Sequence, residues 1–232
     1  MKKRGVIGGM ALLLMLLCLL TPFGGTVSAM DPRGVYHVDT AEKKIALTFD
    51  DGPHPRYTDA ILKILAENDI KATFFEIGIN IKQYSTTTRH VIAAGHEIGN
   101  HTYSHTTMRH LSGKELQAEI EKTDRLLQEL GYEPVSLFRP PQGICTDVLF
   151  DVMSRTGKRA ILWNIDTLDW AHRSSDEIVR EIEKHVGGGD IILFHDYISG
   201  ENTTIPAIKK LIPALKARGY QFVTVSELMQ NG

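Results

Sequence analysis

Asp50 and Asp51 stand side by side in Leu47-Thr48-Phe49-Asp50-Asp51-Gly52-Pro53-His54, and His101 and His105 stand four apart in Asn100-His101-Thr102-Tyr103-Ser104-His105. Neighbouring carboxylates repel, so a nearby cation is their natural compensation. Two imidazoles at that spacing can face one metal ion, and a carboxylate from elsewhere completes three protein ligands with a position left for water. Asp51 suits the third ligand, which leaves Asp50 free to take a proton from that water. Two histidines and a carboxylate also suit ferrous iron, so oxygenase chemistry competes with hydrolysis. Taken singly, the acidic pair also reads as part of the Gly52-Pro53 turn, and the histidines as surface residues in a chain with 10 of them. Their company in one sequence favours the metal.

Arg139, Asp166, Asp169 and His195 share a feature with these residues: each directly follows a short apolar, β-branched run. Seven such runs, 44–49, 72–77, 96–99, 135–138, 160–165, 190–194 and 222–225, alternate with amphipathic stretches, the pattern of repeated strand-helix units around a parallel sheet. In such sheets the carboxyl ends of the strands carry the site, so the polar residues converge on one cleft. Seven units predict an α/β barrel one unit short of the eight-fold form. The helix over 114–130 opens with the capping box Ser112/Glu115 and stops at Gly131, and Ser174/Glu177 open another toward Val186. Ile208, Leu211, Ile212 and Leu215 mark a last long helix that Pro213 should bend or break. With no linker-like composition shift, internal repeat or charge block, one domain of roughly 200 residues follows.

The chain of 232 residues is 42% hydrophobic and 23% charged with 2 Cys, which excludes disordered, collagen-like and disulfide-scaffold classes. Its start is a targeting segment: Lys2, Lys3 and Arg4 precede an apolar run through Leu12, Leu16 and Leu20, followed by the small residues of Val27-Ser28-Ala29. The expectation is a secretory signal over 1–29, cut before Met30, or an uncleaved membrane anchor, and a mature domain over 30–232. Taking away 29 residues, three of them basic and none acidic, from a chain at net −2 leaves 203 residues at net −5. That charge speaks against a nucleic-acid partner, and nothing in the sequence requires a protein partner. The mature chain keeps one cysteine, Cys145, an ordinary thiol near the cleft that has no partner for a disulfide.

Five stretches in fixed order resemble the motifs of the polysaccharide deacetylase family, the NodB-homology domain of carbohydrate esterase family 4. They are Thr48-Phe49-Asp50-Asp51-Gly52-Pro53, His101-Thr102-Tyr103-Ser104-His105, Arg139-Pro140-Pro141-Gln142-Gly143, Asp166-Thr167-Leu168-Asp169-Trp170 and Leu193-Phe194-His195. The resemblance implies a single-domain distorted (β/α)7 barrel with the site at the carboxyl ends of the strands. It implies one divalent ion on Asp51, His101 and His105, most often zinc, with cobalt, manganese or nickel admitted. Asp50 would be the catalytic base and His195 the acid, with Arg139 orienting the base and Asp169 the acid. Trp170 and Leu193 would line the pocket for the acetyl methyl. Pro140, Pro141 and Gln142 would border the sugar groove, with the backbone N–H of Gln142 donating to the oxyanion. The family usually carries an aromatic residue where this chain has Gln142; the backbone donor survives that change, and the side-chain wall does not.

These implied roles match what amide hydrolysis needs: an activated water, charge stabilisation on the carbonyl oxygen and a proton for the departing amine. The expected activity is a secreted, metal-dependent hydrolysis of N-acetyl groups on an amino-sugar polymer at the cell wall. Peptidoglycan is favoured, with chitin or chitooligosaccharides as the alternative substrate and a catalytically silent glycan-binding protein as the alternative class. With Asp50 ionised and His195 protonated, the pH profile should be bell-shaped. His54 is expected at the rim of the site, and His37, His90, His96, His110, His172 and His185 are assigned no role.

Overall fold

A computed structural model describes residues 31–230, so the leader read from 1–29 lies outside the described residues. Its strands are Lys44–Asp50 (β1), Thr73–Glu76 (β2), Glu97–Asn100 (β3), Leu137–Phe138 (β4), Arg159–Ala160 (β5), Ile165–Asp166 (β6), Ile191–His195 (β7) and Gln221–Phe222 (β8). Its helices are Tyr57–Glu67 (α1), Gly78–Gln83 (α2), Ser85–Ala93 (α3), Gly113–Glu129 (α4), Asp147–Thr156 (α5), Ser175–His185 (α6), Thr204–Ala217 (α7) and Val225–Gln230 (α8). All strand pairs are parallel, in the order β5-β4-β3-β2-β1-β7-β6, with β8 beside the first residues of β1.

Alternation along β1 sorts the barrel's two faces. Ile45, Leu47 and Phe49 face the helices, where Phe49 stacks between Phe74 at 5.0 Å and Phe194 at 5.9 Å. Ala46, Thr48 and Asp50 face inward. The barrel floor holds Ala46, Phe75, Leu137, Ile161 and Ile191, closed below by Val225 and Leu228 of α8. Apolar layers therefore fill the lower barrel, and the chemistry-bearing residues sit in the layer above them.

The segment expected as one strand over 160–165 is two. Arg159–Ala160 pairs with β4 at one end of the sheet and Ile165–Asp166 with β7 at the other, so residues between them carry the chain across the seam. Val35 fills the gap, its N–H donating to Ala160 O at 2.9 Å while Leu162 N donates to Val35 O at 2.7 Å. Asn164 finishes the crossing by bonding the Asp190 carboxylate and the Ile191 N–H. This crossing is what distorts the (β/α)7 barrel.

The strand expected through Val225 ends at Phe222 because Thr224 and Glu227 form reciprocal side-chain to backbone bonds that open α8. Both anticipated capping boxes are present, Ser112 with Glu115 on α4 and Ser174 with Glu177 on α6. Pro213 does not break α7, which runs from Thr204 to Ala217. Pro213 and Lys209 are both exposed, so the carbonyl that loses its intrahelical donor can turn to water.

Candidate active site

Asp50 ends β1 and Asp51 follows it, holding a left-handed backbone, φ 74°, that a non-glycine residue adopts at a cost. Its surroundings hold it there: Asn80 of α2 donates to Asp51 O at 2.8 Å, and Ile77 N donates to Gly52 O at 2.8 Å. Gly52 has no room for a side chain, because a Cβ would lie 2.1 Å from Asp196 Oδ2. Asp196 in turn accepts from Thr58 Oγ1 at 2.5 Å, and Thr58 accepts from His54 N at 2.8 Å.

His101 leaves the end of β3, and the loop to His105 is fastened to two helices. Glu119 of α4 accepts from Tyr103 N, Ser104 N and Ser104 Oγ. Gly78 N and Ile79 N of α2 donate to Thr102 O and Tyr103 O. The result brings Asp51, His101 and His105 together with one ligand atom of each within 4.8 Å of the others, and among the described residues this is the one such group. His101 Nε2 lies 3.5 Å and His105 Nε2 3.1 Å from Asp51 Oδ1.

The donor set fits a divalent ion. His101 Nδ1 donates to Arg139 O at 2.7 Å, which fixes the tautomer and leaves the Nε2 lone pair toward Asp51. Burial pushes the Asp51 carboxyl up, but the imidazoles of His101 and His105 and the charge of His195 pull it down further, well below the usual carboxylate range. An ionised carboxylate beside an imidazole lone pair is what a borderline cation binds.

Asp50 belongs to a different arrangement. Arg139, fully buried, donates from Nη1 to Asp50 Oδ1 at 2.7 Å and to Thr48 Oγ1 at 2.8 Å. Its Nε and Nη2 donate to Ile161 O and Leu162 O, the carbonyls of the seam crossing, and its guanidinium lies 4.0 Å above the Phe75 ring. One oxygen of Asp50 is thus tied back while Oδ2 faces the ligand set, 3.8 Å from His101 Nε2.

Asp169, also fully buried, receives four donors: His195 N, His195 Nδ1 at 2.8 Å, Trp170 N and Thr204 Oγ1 of α7. Burial pulls the His195 imidazole down, but the Asp169 bond and the charges of Asp169, Asp50 and Asp51 push it up by more, to about 9. Pro140 and Pro141 are buried, and Gln142 holds a left-handed backbone, φ 60°. Leu193 is buried on β7 opposite Thr48, and the Trp170 indole is exposed with its Nε1 donating to Asp166 at 3.3 Å.

The sequence profile of the family described as polysaccharide deacetylase matches residues 37–161. A peptidoglycan-N-acetylglucosamine deacetylase of Bacillus cereus is 38% identical over 87% of this chain and 96% of its own length. The chain belongs to the polysaccharide deacetylase family. Its reaction class is hydrolysis of the C–N bond of N-acetyl groups. A chitooligosaccharide deacetylase of Azorhizobium caulinodans is 34% identical over 77% of this chain and 91% of its own. Among solved structures, the Bc1960 peptidoglycan N-acetylglucosamine deacetylase superposes with TM-score 0.82 at 32% identity, covering 86% of this chain and 94% of that one. A family 4 acetyl xylan esterase from Clostridium thermocellum, in complex with a cobalt ion, gives TM-score 0.75 at 32% identity, covering 81% and 90%.

Within this polysaccharide deacetylase, sequence reasoning missed the residues that hold the site in place. Thr48 could have been found, since it lies two before Asp50 and must share its face. Asn80, Glu119, Asp196 and Thr204 reach the site from elements distant in sequence, and nothing local marks them. His54 stands outside the ligand group, as expected, in a cluster of rings at the rim. Cys145 is a half-buried free thiol 3.8 Å from the Tyr36 hydroxyl.

Proposed function

We propose that this protein removes N-acetyl groups from peptidoglycan with one divalent cation, zinc foremost, held by Asp51, His101 and His105. The observation that carries this reading is the division of labour between adjacent carboxylates. Asp51 is turned to the two histidines, whereas Asp50 is tied through one oxygen to Arg139 and presents the other to the same pocket. When bound, such a cation polarises the acetyl carbonyl and brings the pKa of a water from 15.7 toward about 7.

The chain's own groups supply the rest. Asp50 Oδ2 takes a proton from the attacking water, and Arg139 keeps the carboxylate in the orientation that receives it. The backbone N–H of Gln142 donates to the carbonyl oxygen as it gains charge. His195, its Nδ1 bound to Asp169, gives the Nε2 proton to the departing nitrogen. Water oxygen bonds to the acetyl carbon, the C–N bond breaks, and acetate and a free amino sugar leave. Leu193 and Trp170 border the acetyl methyl.

Residues 1–29 act as the export signal, which would bring the enzyme to the cell wall, and the Bacillus cereus relative supports peptidoglycan as the substrate. The test is acetate release by residues 30–232 from acetylated peptidoglycan and from chitooligosaccharides side by side, with Asp50→Asn as control. Release from peptidoglycan that falls at least a hundredfold in Asp50→Asn supports the reading. Preference for the chitooligosaccharides would move the substrate, and no release from either would leave a glycan-binding protein.

A further inference from the structure

Among the described residues, the exposed large apolar side chains are Ile79, Val148, Trp170 and Tyr197. Two of these four are tied to His195, one through the residue that binds it and one by the chain itself. Trp170 follows Asp169, which binds His195, and Tyr197 lies two residues beyond His195, so the Cα atoms of Tyr197 and His195 are within about 7.6 Å. Tyr197 does not stand alone. Its ring stacks on His54 at 5.0 Å with an interplanar angle of 13°, and His54 stacks on Tyr57 at 4.7 Å and 27°. Tyr84 closes the cluster 6.0 Å from His54.

The three stacked rings arrive from the loop after β1, the first turn of α1 and the loop after β7. The first of these also carries Asp51, and the last leaves β7 directly after His195, so the stack is built beside the centre. Burial and the charge of Arg56 lower the His54 imidazole below the usual histidine value, which disfavours a positive charge within the stack. An aromatic stack with its end ring 41% exposed is a good partner for a flat, weakly polar face. The C–H face of a pyranose ring has that character.

We propose that Tyr197, backed by His54 and Tyr57, is a platform for a sugar ring adjoining the one whose acetyl group is removed. The inference rests on the proposed deacetylation, because it takes the leaving nitrogen to lie against His195. A polymer chain passing His195 must continue to one side of it, and Tyr197 offers an exposed aromatic ring two residues from His195. The platform makes binding depend on chain length: a substrate long enough to reach Tyr197 gains the stacking contact, and a short one does not.

Binding is read by calorimetry on zinc-loaded Asp50→Asn, with hexa-N-acetylchitohexaose and the single sugar N-acetylglucosamine as probes. Adding Tyr197→Ala should weaken hexamer binding about tenfold, shift N-acetylglucosamine binding less than twofold, and leave Tm within a degree or two; Tyr197→Phe should keep hexamer affinity within twofold. Equal loss for both probes, no loss for either, or no binding of the hexamer at all overturns the platform. Acetate release by the unsubstituted protein is measured beside it. Hexamer binding with the expected Tyr197 dependence but no acetate overturns the deacetylation reading alone.

Discussion

Arg139 reaches four oxygen atoms that no other side-chain type could serve together: Thr48 Oγ1, Asp50 Oδ1, Ile161 O and Leu162 O. A planar fork of five donors matches that layout, and an ammonium does not. Arg139→Lys should therefore lower acetate release at least a hundredfold, and leaving buried carbonyls without their donors should cost about 1–3 kcal/mol of unfolding free energy by denaturant titration. Wild-type stability in Arg139→Lys would contradict the seam-bridging role. Asp169 acts on His195 through charge, and the sign is fixed. Its carboxylate raises the imidazole to about 9, so the acid form is present below that pH and is lost as pH rises through it. A bound cation adds like charge and places the alkaline limb at or below that value. Asp169→Asn removes the largest upward contribution, so the alkaline limb of kcat should move down toward about 6.5. An unmoved limb would remove His195 from the role of acid.

At the scale of elements, the ends of β1 and β3 are held by contacts from other parts of the chain. Gly52 lies against the Asp196 carboxylate, with 2.1 Å left for a Cβ. Gly52→Ala should destabilise by about 1–3 kcal/mol and weaken zinc binding, both read from thermal unfolding with and without zinc. Removing the obstruction in Gly52→Ala/Asp196→Ala should restore part of each. If the double variant is as poor as the single one, contact with Asp196 is not the cause. These elements also mark what a sequence can disclose. Helices α4 and α6 were legible because their capping boxes are local, and β1 and β7 because each is a short, predominantly apolar run. The run over 160–165 is interrupted by Asn164 alone, and it serves two ladders at opposite ends of the sheet, which a single polar residue does not state. The end of β8 was legible and overlooked, for Thr224 and Glu227 repeat the Ser112/Glu115 spacing. Asp50, Asp51, His101, His105, Arg139, Asp169 and His195 could be picked out because each follows a strand. Their supports Asn80, Glu119 and Thr204 lie on helices whose contacts depend on the finished fold.

Across the whole molecule, burial of charge sets how stability follows pH. Glu76 is fully buried; its Oε2 accepts from Thr88 at 2.9 Å and its Oε1 has no partner. Burial pushes its carboxyl up to about 8, and that of Asp196, buried near Asp51 and Asp50, to about 7. The folded state thus keeps protons that the unfolded chain gives up near pH 4. This contribution is full below that pH and is lost as pH rises through about 7 to 8. His96 works in the opposite sense: burial lowers it to about 4, so its contribution is present above about 6.5 and lost as pH falls toward 4. Glu76→Gln removes the first dependence, so its Tm relative to the unsubstituted protein should climb from pH 5 to pH 9. A constant difference would show that Glu76 is already ionised in the fold.

The central claim is that Asp51, His101 and His105 hold one cation on which acetate release depends. The most direct measurement strips metal from residues 30–232 with a chelator, adds zinc back in steps, and follows bound zinc and acetate release from peptidoglycan together. The account predicts no release before addition, recovery that saturates at one zinc per chain, and neither binding nor recovery in His105→Ala. Full release from the stripped protein, or recovery unaffected by His105→Ala, would contradict it.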